Sequence, residues 1–192
     1  MSVGVLGGTF DPPHLGHLAL ARGAVALFGL ERLLIRVVAD PGHRTVTAPA
    51  GVRLRLAELA FAAVPEGEVA LDSYQRTVDS LEALALDDPL FLVGADEFVS
   101  FATWKEPDRV LELARLGVAT RPGYSRERLE AVLEGLARPE RVVFFEIEPQ
   151  PISSSTIRSR VGAGEAIHGF VPAAVAAEID RLGLYRRRPG PG

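Results

Sequence analysis

Two histidines near the amino terminus, His14 and His17, stand three residues apart behind the string Gly7-Gly8-Thr9-Phe10-Asp11-Pro12-Pro13. On a helix that spacing puts both imidazoles on one face, here in the first turn. Residues 3–6 form a short apolar run that reads as a buried strand, and residues 7–13 read as a turn-rich loop. Residues 14–28 have helical periodicity, with Gly29 placed to end the helix. Without side chains at Gly7 and Gly8, a phosphate or ribose can approach the backbone, and the helix turns its free N–H groups and positive pole to the same space. Two imidazoles there can donate hydrogen bonds to a polyphosphate and stabilise charge developing at its α-phosphorus. Gly16, between them, leaves room for an adenine or ribose against the helix. A zinc site is the weaker reading, because no Glu or further His stands close by.

A second candidate phosphate site is Ile152-Ser153-Ser154-Ser155-Thr156-Ile157-Arg158. It reads as a helix start rich in hydroxyls with an arginine in its second turn. Such an end can hold the β- and γ-phosphates of a nucleotide through N–H groups, hydroxyls and one guanidinium. Taken alone, an ordinary serine N-cap has the same composition.

The elements that must position these residues follow an alternating order. Strands are expected at 32–38, 68–71, 90–93, 116–120 and 141–147, and helices at 49–64, 77–86, 125–136, 153–161 and 172–182. Two short helices are expected at 96–101 and 107–114. Strands alternating with helices imply an α/β fold with a doubly wound parallel sheet covered on both faces. Ligands bind such a sheet beyond the carboxyl ends of its strands, near the switch in strand order. Residues 1–185 read as one domain, and 186–192, rich in Arg, Pro and Gly, as a disordered tail.

Composition narrows the chemistry. The chain has 192 residues, 47% apolar and 24% charged, with a net charge of −4, which does not suggest nucleic-acid binding. It has no cysteine, which excludes disulfides, zinc–thiolate sites and thiol catalysis. Its one lysine, Lys105, follows Trp104, so no Gly-Lys exists to form a P-loop. Met1-Ser2 leads directly into the first strand without the charged region and long apolar stretch of a signal peptide. No segment approaches the roughly 18 apolar residues that span a bilayer. A cytoplasmic protein with no membrane partner is expected, and a homo-oligomer is compatible with the sequence.

The string from Gly7 to His17 resembles the nucleotidyltransferase superfamily, and His14–His17 resembles the "HIGH" signature also found in class I aminoacyl-tRNA synthetases. Within that superfamily the chain is most similar to the nicotinate-nucleotide adenylyltransferase family. Residues 152–158 resemble its Ile-Ser-Ser-Thr-x-Ile-Arg. Gly94-Ala95-Asp96, Trp104 and Arg121-Pro122-Gly123-Tyr124 fall in the family's order, and Pro41-Gly42-His43-Arg44 resembles its Pro-Pro-His-Lys/Arg loop. The resemblance implies a Rossmann-like nucleotidyltransferase fold that transfers AMP from ATP to nicotinate mononucleotide. It implies His14, His17 and Arg158 as catalytic residues. On the ATP side it implies Gly7, Gly8, Thr9, Phe10, Gly16, Gly94, Asp96, Ser153, Ser154, Ser155 and Ile157. On the acceptor side it implies Asp11, Arg44, Thr77, Trp104 and Arg121, with Trp104 stacked on the pyridine ring. Arg53 and Arg55 compete with Arg44 for the acceptor phosphate, Asp96 could instead cap a helix, and Trp104 could instead pack the core. Magnesium, bound mainly through the ATP phosphates and with no protein ligands, is the implied cofactor.

Two departures lie on the acceptor side. Arg76 stands where the family has tyrosine, in a shortened segment before Thr77, and Gly42 replaces the loop's second proline. Other readings remain open: a nicotinamide mononucleotide or phosphopantetheine adenylyltransferase, a cytidylyltransferase, or a nucleotide-binding module without catalysis.

Overall fold

Apolar residues on both faces of nearly every strand force a sheet that is covered on both sides. The computed structural model describes residues 1–42, 46–121, 123–148 and 150–186. In chain order the elements are β1 (Val3–Gly8), α1 (Leu15–Phe28), β2 (Arg32–Val38), α2 (Ala50–Phe61), β3 (Gly67–Asp72), α3 (Thr77–Leu84) and β4 (Leu90–Gly94). There follow α4 (Ala95–Phe98), α5 (Pro107–Leu113), β5 (Arg115–Thr120), α6 (Arg126–Glu134), β6 (Val142–Glu146), α7 (Ser154–Gly162) and α8 (Ala173–Leu182). Two 3-10 turns, Phe101–Thr103 and Pro139–Arg141, lie between them.

The six strands are parallel in the order β3-β2-β1-β4-β5-β6. The order reverses between β1 and β4, which creates the switch point expected to hold a ligand. Leu6, Leu33, Ile35 and Val37 pack on one face against α1, α2 and α8. Val5, Leu34, Phe91 and Val93 pack on the other face with α3, α4 and α5. Leu33, Ile35 and Leu56 have no exposed surface, and each such side chain contributes roughly 1.5–3 kcal/mol through burial.

The expected elements are present with ends shifted by up to three residues, the largest shifts at the ends of α2 and α4. The most consequential shift is at β1, which continues through Gly7 and Gly8 in register with Arg36 and Val37 of β2. The two glycines are therefore the end of a strand, not part of a loop. The chain turns beyond them at Phe10, whose φ is +48° and whose ring folds back so that a Cβ on Gly8 would lie 3.0 Å from it. At the far end of α1, Gly29 closes the helix with φ +58°, a left-handed conformation that glycine adopts at little cost. Most of the tail expected at 186–192, from residue 187 on, lies outside the described residues.

Candidate active site

His14 is the N-cap of α1 and His17 its third residue. Their rings stack with centroids 3.8 Å apart, and the His14 N–H donates to His17 Nδ1 at 3.2 Å. With Nδ1 accepting, the His17 proton sits on Nε2, which is thus available as a donor. The Phe10 ring meets His17 edge-on at 5.0 Å and rests in turn on Phe61 at 5.5 Å. Burial lowers the His14 pKa to about 4, and burial followed by the charge of His14 holds His17 well below the ordinary histidine value. Both are neutral donors at pH 7.

The start of α7 faces this pair. Ser153 caps the helix by accepting the Thr156 N–H at 3.1 Å. Ser154 Oγ donates to the Pro12 carbonyl at 2.8 Å, and Arg158 Nη1 donates to the Asp11 carbonyl at 2.7 Å. The loop after β1 and the α7 wall are therefore one tied unit, while Ser155 stays exposed and Arg158 half-exposed toward the cleft. The cleft between them has a volume of about 680 Å³ and also reaches Gly16, Gly94, Asp96 and Arg121.

A second cavity, of about 430 Å³, opens on the other side of the β1 end and contains Arg36, Thr77, Ser80, Trp104 and Lys105. Trp104 is half-buried and edge-packed on Phe101 at 5.2 Å and Phe91 at 6.3 Å, so it both anchors to the core and borders the cavity. Gly7, Gly8 and Thr9 line both spaces, which therefore meet over the tip of β1. Each volume falls in the range of small-molecule sites, roughly 300–1,000 Å³.

Several expected site residues take other places. Phe10 and Ile157 are buried in the core, 1% and 0% exposed, and support the site from behind. Asp11, expected at the acceptor, turns its carboxylate inward. It accepts from the Thr47 N–H at 2.6 Å, the Ala48 N–H at 3.2 Å and the Tyr185 hydroxyl at 2.8 Å. Burial, then the Asp11 charge, pushes the Tyr185 pKa up, so that hydroxyl remains a donor. Arg53, a candidate for the acceptor phosphate, is fully buried and donates to four carbonyls, those of Ala48, Thr9, Val38 and Ala39, at 2.7–3.0 Å. Arg55 lies on the surface beside Glu58. Arg121 borders the histidine cleft, not the Trp104 cavity. Asp96 lies near the Tyr124 hydroxyl, whose pKa burial and then the Asp96 charge push up, and Gly94 is the N-cap of α4. Arg44 lies outside the described residues. Reading by motif missed Arg36 and Tyr185. The first had a signal in the sequence, a charge inside an apolar strand, whereas the second had none.

Residues 5–160 match the cytidylyltransferase-like family model. The chain is 38% identical over 192 residues to a probable nicotinate-nucleotide adenylyltransferase of Bordetella petrii, covering 96% of this chain and 98% of that one. It is 38% identical over 195 residues to the probable nicotinate-nucleotide adenylyltransferase of Thermus thermophilus, covering 97% and 100%. Among solved structures, Plasmodium falciparum nicotinic acid mononucleotide adenylyltransferase complexed with NaAD aligns over 96% of this chain and 97% of that one, with TM-score 0.79 and 15% identity. A parallel sheet whose switch point is flanked by a histidine pair and a hydroxyl-rich helix start defines a nucleotidyltransferase. The chain belongs to the cytidylyltransferase-like family and, within it, to the nicotinate-nucleotide adenylyltransferases.

Proposed function

We propose that the protein transfers AMP from ATP to nicotinate mononucleotide, giving nicotinate adenine dinucleotide and pyrophosphate. The observation that carries this reading is the meeting of two cavities over Gly7-Gly8-Thr9, one bordered by His14, His17 and Arg158 and the other by Trp104. A nucleotide and a ring-bearing acceptor can each fill one cavity and bring their phosphates together between them. The names of the relatives agree with that pairing.

The reaction is an in-line displacement at the α-phosphorus of ATP. The acceptor phosphate is ionised at neutral pH, so catalysis reduces to positioning and charge stabilisation. His17 Nε2–H and the His14 ring stand where charge develops on the α-phosphate. Arg158 and the Ser153–Ser155 helix start hold the departing pyrophosphate. Trp104 and Thr77 border the pyridine. The His14 and His17 imidazoles, the Arg158 guanidinium and the hydroxyl and N–H groups of the α7 start suit phosphate oxygens better than magnesium, which prefers oxygen ligands. Magnesium would accordingly arrive on the ATP phosphates and neutralise part of their charge. A cytoplasmic setting goes with this reading. Among the described residues no helix is long and apolar enough to cross a membrane.

The test is a pyrophosphate-release screen offering ATP or CTP with nicotinate mononucleotide, nicotinamide mononucleotide or phosphopantetheine. Release should be fastest with ATP and nicotinate mononucleotide. Faster release with phosphopantetheine or with CTP would replace the proposal, and ATP binding without release from any pair would leave a nucleotide-binding module.

A further inference from the structure

Arg36 interrupts an otherwise apolar strand. Along β2, Leu33, Ile35 and Val37 enter the core beneath α1 and α2, while Leu34, Arg36 and Val38 face the opposite side. Leu34 is 7% exposed among apolar neighbours, and two residues later the same face carries a guanidinium into the Trp104 cavity. In register Arg36 lies beside Gly7 of β1 and Ala70 of β3, which leave space but supply no countercharge. Its Nε is buried without a hydrogen-bond partner, and no described residue pairs with its charge. On the cavity wall Lys105 pairs with Asp79 at 2.6 Å, and the Asp72 carboxylate accepts from Ser80 and from the Tyr74 N–H. Two further charged side chains border the cavity, Glu97 and Arg76, the latter an exposed cation where Arg36 is half-buried. Arg53, nearby, shows the contrast, with its guanidinium enclosed by carbonyls.

A half-buried guanidinium with an unpartnered Nε gains a charge-assisted hydrogen bond from an arriving anion. Two anionic groups of the proposed acceptor could supply it, the ring carboxylate and the phosphate. The phosphate must reach the histidine pair beyond the tip of β1. Arg36 stands one position before the last registered pair of β1 and β2, Gly8 with Val37, and so lies below that tip. We propose that Arg36 is the specificity-determining cation of the acceptor cavity, pairing with a carboxylate on the acceptor's aromatic ring while Trp104 borders that ring. The assignment rests on the proposed pyridine acceptor and adds the residue that distinguishes the acid from the amide.

The experiment compares wild type, Arg36→Gln and Arg36→Lys with nicotinate and nicotinamide mononucleotides. A charge-assisted hydrogen bond corresponds to a loss of roughly 10- to 100-fold. Arg36→Gln should lose that much kcat/KM for the acid, chiefly through KM, with the amide changed less than about threefold and the KM for ATP unchanged. Arg36→Lys should recover part of the loss. The melting temperature of Arg36→Gln should stay within a few degrees of wild type, because the guanidinium has no ion pair to lose among the described residues, whereas a merely structural arginine would lower it clearly. An equal loss for both acceptors would assign Arg36 to the phosphate or to cavity shape and overturn the proposal, as would no loss. If wild type turns over neither mononucleotide, the proposed reaction itself fails. Trp104, the only tryptophan in the chain, still reports binding by fluorescence. Quenching by the acid in wild type that disappears in Arg36→Gln would support the Arg36 assignment, and its absence in wild type would overturn it.

Discussion

The His14 and His17 rings stack at 3.8 Å with their planes inclined by 29°. Two imidazolium ions cannot share that geometry away from water, so the pair works as neutral donors. The His14–His17 backbone hydrogen bond sets the orientation of one ring, and Phe10 backs it.

Stability should therefore depend on pH on the acid side. His14 has a folded pKa of about 4 against 6.5 when unfolded. Between those values the unfolded chain binds more protons than the native one, so stability is fully present above pH 6.5 and is lost as pH falls toward 4. The loss from this residue is on the order of 3 kcal/mol. Calorimetry across that window should show a falling melting temperature, with a shallower fall in His14→Asn. Parallel profiles for the two proteins would mean that His14 does not titrate this way.

Removing His17 should separate catalysis from folding. Its Nε2–H is placed to donate toward the cleft, and loss of one such donor costs roughly 10²- to 10³-fold in turnover. His17→Ala should show that loss in pyrophosphate release with a melting temperature within a few degrees of wild type. Full turnover in a folded variant would remove His17 from the mechanism.

Arg53 and Arg55 looked alike in the sequence, and their variants should behave oppositely. Arg53→Ala orphans the carbonyls of Thr9, Val38, Ala39 and Ala48, which join the β1 loop to the β2 end and the α2 start. We expect a loss of about 3–5 kcal/mol, against less than about 0.5 kcal/mol for Arg55→Ala on the surface. Chemical denaturation of both variants measures the difference, and similar midpoints would show that the buried guanidinium contributes little.

The sequence made the frame legible because periodicity and turn residues act locally. β2 has its expected bounds, Gly29 closes α1, and Ser153 caps α7. The errors arose where a side chain's direction depends on what packs over it. Phe10 and Ile157 belong to ligand-binding strings yet point into the core, since a motif records spacing and not facing. Asp11 falls on the acceptor side by motif alone, and its partner Tyr185, 174 residues away, is beyond the reach of any local pattern. Arg36 was passed over because the strand around it is apolar, although a charge in such a strand has to be accounted for by a partner or a ligand.

Gly16 offers the sharpest separation of two readings. In the sequence it leaves room for an adenine or ribose. In the structure, a Cβ there would lie 3.0 Å from His14 Nδ1 and 3.1 Å from His14 Cε1, and 3.6 Å from Gln150 Cβ. The contact is with the His14 ring, held from its other side by His17, so the ring must give for alanine to fit. Glycine within a helix is otherwise less stable than alanine by roughly 0.5–1 kcal/mol. Gly16→Ala should therefore melt near or above wild type while kcat falls about tenfold, because the displaced His14 no longer aligns with the α-phosphate. If the Cβ instead obstructs the nucleotide, the KM for ATP should rise with kcat preserved. Steady-state kinetics at saturating acceptor separates the two outcomes, and a variant with both constants unchanged would show that the His14 ring yields without loss of alignment.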